Sequence, residues 1–213
     1  GGHDLQSWLN DFIFPAEAKW DDRSLRASAD LGLAEMIASG VTCIADMYSH
    51  TEAIAKQDEL TGLYNRMGYE KIVIPYLDEL RRSKTKSVIM VADINKMKEI
   101  NDVHGHLNGD RAIKTVANVI RNTIPVSWKA VRYGGDEYVI IGDYDMSGGV
   151  EAIRDEIIGK TRQVSEELNM PFRLSVSVGY VIIDPENTLE NEEYFRMADE
   201  AMYETKREAH KNE

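Results

Sequence analysis

The chain has 213 residues, 43% of them apolar, and its 37 acidic side chains outnumber 25 lysines and arginines to leave a net charge of -12. That length holds one good core and a small second unit, and so acidic a surface excludes a nucleic-acid backbone as main partner while leaving room for a nucleotide held by one metal site and a few lysines. The single cysteine, Cys43, excludes an intramolecular disulfide and every multi-cysteine zinc pattern, which suits a reducing cytoplasm; no apolar run reaches membrane-spanning length and no signal-peptide pattern opens the chain.

Residues 1–50 differ in character from the rest of the chain. Asp21, Asp22 and Ser24 offer caps to a helix that carries Leu25, Ala29, Leu33, Met36 and Ile37 at helical spacing, Gly40 ends it, and 41–45 is a short apolar strand stopping at Asp46. This helix-strand piece has no sheet of its own to join. A second unit begins near Thr51. Residues 51–57 are helix-prone, Thr61-Gly62 breaks that helix, and the next carries Tyr69, Ile72, Val73, Tyr76, Leu77 and Leu80 on one face before ending near Arg81-Arg82.

Residues 87–94 are nearly all apolar until Asp93, the pattern of a buried central strand. A short helix at 96–100, a loop at 101–105 and a helix at 108–122 come next. The stretch Arg132-Tyr133-Gly134-Gly135-Asp136-Glu137-Tyr138 then sets two glycines and two carboxylates between β-prone runs at 127–132 and 138–141, which predicts a hairpin closed by a tight two-residue turn. A helix at 148–168, a strand at 172–182 and a helix at 192–207 complete an α/β sandwich with helices packed on a central sheet.

Alone, Gly-Gly-Asp-Glu is a weak signal, read as simply as a solvated acidic turn. Glycines without Cβ let another molecule approach the backbone, and successive residues on a strand send Asp136 and Glu137 to opposite faces. Asp93 ends one strand and Asp136 sits at the hairpin of its expected neighbour, so two carboxylates meet at one sheet edge. Such a pair is costly without a cation, which points to a Mg²⁺ or Mn²⁺ site that also holds a triphosphate. Two solvated strand-end acids are the other reading, and spacing alone does not separate them.

Five motifs carry a resemblance. Asp58-x-Leu60-Thr61-Gly62-Leu63-x-Asn65-Arg66 is followed by Asp93-Ile94-Asn95-x-Met97-Lys98-x-Ile100-Asn101-Asp102-x-x-Gly105-His106-x-x-Gly109-Asp110. The glycine hairpin, Ser175-Val176-Ser177-Val178-Gly179, and Ala198-Asp199-x-Ala201-Met202-Tyr203-x-x-Lys206 complete the set. In this order, from 51 to 213, they resemble the GGDEF diguanylate cyclase family. The resemblance implies the palm-like fold of nucleotidyl cyclases, two GTP joined into cyclic di-GMP with release of pyrophosphate, and a homodimer that brings two sites face to face. It implies that Asp93, Asp136 and the carbonyl of Ile94 ligate the metal, and that Asn101 and Asp110 read guanine. It further implies that backbone N–H groups around Met97 cradle phosphates beside Gly134 and Gly135, that Lys98 and Lys206 add positive charge, and that Glu137 positions or deprotonates the attacking 3′-hydroxyl.

Three departures stand out. Asn95 replaces the family's usual second aspartate, Tyr138 replaces a phenylalanine and brings a hydroxyl that needs a partner, and His210 stands where an arginine usually binds phosphate. Asn95 and His210 favour the alternative of a GTP-binding regulatory domain with little turnover. His104 and His106 are read as loop residues, not zinc ligands. Residues 125–128 offer neither the arginine nor the aspartate of the family's product-binding motif, and Trp128 is left as a residue that could stack on a guanine. The phrases at 4–9, 13–18 and 35–48 resemble metal-dependent amidohydrolases of the guanine-deaminase type, but that family's His-x-His pair is absent, so 1–50 is expected to be a non-catalytic fragment.

Overall fold

The computed structural model describes residues 54–144, 149–187 and 189–211, with side chains up to 207. The helix and strand expected before residue 51 lie outside the described residues, as does the side chain of His210. Contacts divide the chain between Ala55 and Lys56, and the unit from Lys56 onward carries one four-stranded sheet with its helices.

Helix α1 runs over 66–82. Asn65 caps it by accepting from the Gly68 N–H at 3.0 Å. Its middle, Tyr69–Val73, is π-helical, because Pro75 in the next turn has no N–H to continue the regular ladder. Strand β1, Ser87–Ile94, is buried along its whole length. Helices α2, Met97–His104, and α3, His106–Thr123, meet at Gly105, whose φ of 81° is open to glycine at little cost. Strands β2, Lys129–Arg132, and β3, Glu137–Asp143, form the hairpin. Helix α4, Val150–Glu167, strand β4, Val176–Ile183, and helix α5, Asn191–Lys211, complete the domain.

The four strands are ordered β2-β3-β1-β4 and pair antiparallel throughout, so β1 is central as its apolar run predicts. Its side chains alternate between two cores. Val88, Met90, Ala92 and Ile94 face helices α2, α3 and α4, while Ile89 and Val91 face α1 and α5. Asp93 therefore points to the α5 side. The outer edge of β2 is not left open: the Tyr64 N–H donates to the Ala130 carbonyl and the Arg132 N–H to the Tyr64 carbonyl, at 3.1 and 2.8 Å.

Four expectations need correction. The loop expected at 101–105 is helical up to His104, and Gly105 alone interrupts it. Strand β4 starts at Val176, not at 172. The hairpin tip is wider than a two-residue turn: Arg132 pairs with Tyr138, the Tyr133 N–H reaches the Glu137 carbonyl at 2.9 Å, and neither Gly134 nor Gly135 adopts a positive φ. Trp128 is buried, its indole filling the space that a Cβ on Gly142 would occupy, so it has no free face for a guanine.

Candidate active site

The sheet delivers its carboxylates to one edge by register. Asp93 pairs directly with Glu137 across the β1-β3 ladder, and the Ile94 N–H donates to the Asp136 carbonyl at 3.2 Å. Residues paired in an antiparallel ladder share a face, so Glu137 lies with Asp93 on the α5 side. Asp136, one residue earlier, lines a cavity on the opposite side, and the two neighbouring acids serve the two faces as the strand period requires.

Burial pushes the carboxyl of Asp93 up, and the charges of Asp136 and Asp199 add to that, against a hydrogen bond from the Lys206 ammonium that pulls it down. The Lys206–Asp93 contact is an ion pair. Glu137, at the rim, is raised by partial desolvation and then by Asp93, Asp136 and Asp199. Helix α5 brings Asp199 and Lys206 to this edge because Gly179 on β4 has no side chain: a Cβ there would stand 2.0 Å from the Met202 nitrogen.

The cavity beside Asp136 measures about 420 Å³, within the range of small-molecule sites. Met97, Lys98 and Asn101 from α2 form one wall, and Gly135 with Asp136 the other. The amide of Asn101 is seated by a second glycine. A Cβ at Gly109 would lie 2.0 Å from its Oδ1 and 3.0 Å from the Met97 side chain. Lys96, exposed and left-handed at φ 55°, turns the chain sharply from β1 into the first turn of α2. Asp110, half-buried on α3, and Gly134 stand outside the cavity lining. Gly134 instead makes room for Glu137, whose Oε2 would lie 2.7 Å from a Cβ there.

Three further residues belong to this site: Arg132 and His106 stand in the motifs without a signal of this role, Ile113 lies outside them, and His106, expected in a loop, opens α3. His106 and Ile113 from α3 line the cavity, and Arg132 lines it while donating to the Gly135 carbonyl at 2.8 Å. Its other arm holds Asp58 at 3.1 Å. Asn95 is tied away from the carboxylates: its amide donates to Ser175 Oγ at 3.1 Å and accepts from Ser177 Oγ at 2.8 Å. Tyr138 meets its need for a partner by donating to the Ile113 carbonyl at 2.9 Å.

The donor set fits a hard divalent cation. Asp93 and Asp136, whose charges act on each other, and the carbonyl of Ile94 would supply the oxygen ligands such cations prefer and leave positions for phosphate and water, and Asp93 already carries a cation in Lys206. Among the described residues no three His, Cys, Asp or Glu side chains form a ready-made cage, so the remaining ligands would come with the substrate.

The family model described as "Diguanylate cyclase, GGDEF domain" matches residues 55–212. The chain belongs to the GGDEF family. This GGDEF domain is similar to the probable diguanylate cyclase DgcT of Escherichia coli, with 34% identity over 160 residues that cover 73% of this chain and 34% of that protein. Its fold is similar to the GGDEF domain of DgcB from Caulobacter crescentus, solved in complex with c-di-GMP, with a TM-score of 0.62 and 27% identity over 72% of this chain and 91% of that one. A separate similarity, 42% over 84 residues, joins 39% of this chain to 20% of the 5'-deoxyadenosine deaminase of Methanosphaera stadtmanae. The chain spans between about a fifth and about half of the length of these and the other curated relatives it matches. Among the described residues no helix is long and apolar enough to cross a membrane.

Proposed function

We propose that the GGDEF domain of this chain, from about residue 51 to 213, condenses two GTP into cyclic di-GMP with release of two pyrophosphates. The observation that carries the reading is the delivery of Asp93, Asp136 and Glu137 to one end of the β1-β3 ladder, with Asp136 lining a cavity walled by α2. Asn101 on that wall, together with Asp110 on α3, reads guanine: an amide donates to O6 and a carboxylate accepts from the ring N–H and amine, a pattern adenine does not match. The first turn of α2 and Lys98 hold phosphates, with Gly135 and Gly134 keeping the hairpin slim beside them.

Asp93, Asp136 and the carbonyl of Ile94 would hold Mg²⁺ or Mn²⁺. When bound, such a cation neutralises charge on the transferring phosphoryl group and orients it. Glu137, whose carboxyl is raised by partial desolvation and by the neighbouring acids, is suited to take the proton of the attacking 3′-hydroxyl. That oxygen bonds to the α-phosphorus of the second GTP, the bond to the β-phosphate breaks, and pyrophosphate leaves. Two such steps close the ring, so two sites must face each other in a homodimer. GTP as substrate places the work in the cytoplasm.

A second reading, a GTP-binding regulatory domain with little turnover, is favoured by the pairing of Lys206 with Asp93 and the diversion of Asn95 to two serines. Residues 1–50, similar in wording to an amidohydrolase, are proposed to be a non-catalytic fragment. Incubation with GTP and Mg²⁺, with the nucleotide products resolved, separates the two readings. Cyclic di-GMP from the parent and none from Asp93→Ala or Asp136→Ala is expected; product at parent level from either variant would sink the assignment.

A further inference from the structure

Lys206 and Asp93 lie 113 residues apart in the chain, yet the ammonium rests on the carboxylate. The pair is secluded, with 26% of the lysine side chain and 9% of the aspartate side chain exposed. Asp136 and Asp199 act on the same carboxylate, and Glu137 stands opposite it in the ladder. Lys206 is therefore the cation that balances this anionic corner. An ammonium and a divalent cation on one carboxylate share its negative charge and repel each other at short range. A triphosphate changes the competition by offering the ammonium other oxygens. Because α5 is seated backbone against backbone at Gly179, the exchange falls to the long flexible stem of the lysine and not to the helix.

We propose that Lys206 is a placeholder cation that makes metal and nucleotide binding depend on each other: it holds Asp93 against a divalent metal before the nucleotide arrives and releases it by moving onto the phosphates. This rests on the proposed cyclase function and adds that one lysine has opposite effects on two ligands. By linkage the coupling is reciprocal, so metal strengthens nucleotide binding by the same factor as nucleotide strengthens metal binding.

The test is a titration of the full chain with Mn²⁺, free ion followed by electron paramagnetic resonance, with and without a GTP analogue whose α–β bridge cannot be cleaved. The parent should bind Mn²⁺ weakly alone and more tightly with the analogue. Lys206→Met should tighten nucleotide-free Mn²⁺ binding at least about tenfold, as removal of a half-buried charge-assisted contact allows, while weakening the analogue. Arg207→Met, which removes an equal charge one residue away on the exposed side, should shift Mn²⁺ affinity less than about threefold. Lys206→Arg keeps a competing charge on a folded protein and should bind nucleotide-free Mn²⁺ no more tightly than the parent. Unchanged or weaker Mn²⁺ binding by Lys206→Met, an equal shift from Arg207→Met, or tighter binding by Lys206→Arg overturns the proposal. A parent that binds Mn²⁺ cooperatively with the analogue while Lys206→Met behaves identically removes this inference alone; a parent that binds no Mn²⁺ even with the analogue removes the proposed function with it.

Discussion

Arg132 joins Asp58 to the tip of the hairpin: one arm of the guanidinium donates to both oxygens of Asp58 at 3.1 and 3.2 Å, and the rest donates to the Gly135 carbonyl. Burial raises the carboxyl of Asp58, but the Thr61 hydroxyl and the Arg132 guanidinium outweigh it and hold the group below its usual range. A depressed folded value means stability that is present above the unfolded value of about 3.9 and is lost as pH falls through the folded one. Asp58→Asn should therefore cost about 1.5–3 kcal/mol near neutral pH, with the gap to the parent closing below about pH 4. Urea unfolding at several pH values checks it; a gap that stays constant into acid would show that the ion pair contributes nothing.

Gly109→Ala should damage base recognition without unfolding α3. The new methyl would overlap Asn101 Oδ1 and force the amide from its seat. Losing a contact of that kind costs about 0.5–1.5 kcal/mol, or more where a polar group is left unpaired, so GTP should bind several-fold more weakly and its margin over ATP should shrink. Calorimetric titration with both nucleotides measures this. An unchanged margin would place the reading of guanine elsewhere.

Tyr138→Phe should leave catalysis alone. The ring is fully buried and, among the described residues, its hydroxyl donates to the Ile113 carbonyl. Removing it should lower stability by about 0.5–1.5 kcal/mol, read from denaturant unfolding, with turnover unchanged. A large loss of turnover would mean that the bond from β3 to α3 also sets the cavity that Ile113 lines.

Cyclic di-GMP should inhibit only by competing with GTP. At 125–128 Val126 is fully exposed, the Ser127 hydroxyl donates to Asp143 at 3.0 Å, and Trp128 is buried, so the segment offers no guanidinium fork and no free aromatic face. A product titration at saturating GTP decides it: strong noncompetitive inhibition at low product would reveal a second product site.

Residues 56–213 should fold without the preceding part, since their strands, helices and both cores are internal to that unit. Circular dichroism and a cooperative thermal transition of the truncated chain measure this. A molten truncated chain beside a folded full chain would make residues 1–55 part of the core.

The strand framework is legible in the sequence because its signal is local: an unbroken apolar run names β1 as central, and a glycine pair between β-prone runs names the hairpin, which together set Asp93 near Asp136. Asn101 reads as loop because Asn-Asp favours turns, but Met97 and Ile100 bury one face of α2 and the Gly105 N–H closes on the Asn101 carbonyl, so packing outweighs propensity. The Lys206–Asp93 pair and the Arg132 bridge join residues 113 and 74 positions apart, and no periodicity reports such contacts. The burial of Trp128 is hidden for a similar reason, since only the fold reveals that Gly142 leaves the hole that the indole fills.

The bare contact at Gly179 also bears on how the domain can diverge. With no side chain at position 179, the closest approach of β4 to the helix that carries Lys206 is set there by backbone atomic radii. Substitutions elsewhere in either core can alter filling and stability while leaving that approach untouched. One codon thus works as a gauge block for the site, since any side chain placed there would push the helix off the strand.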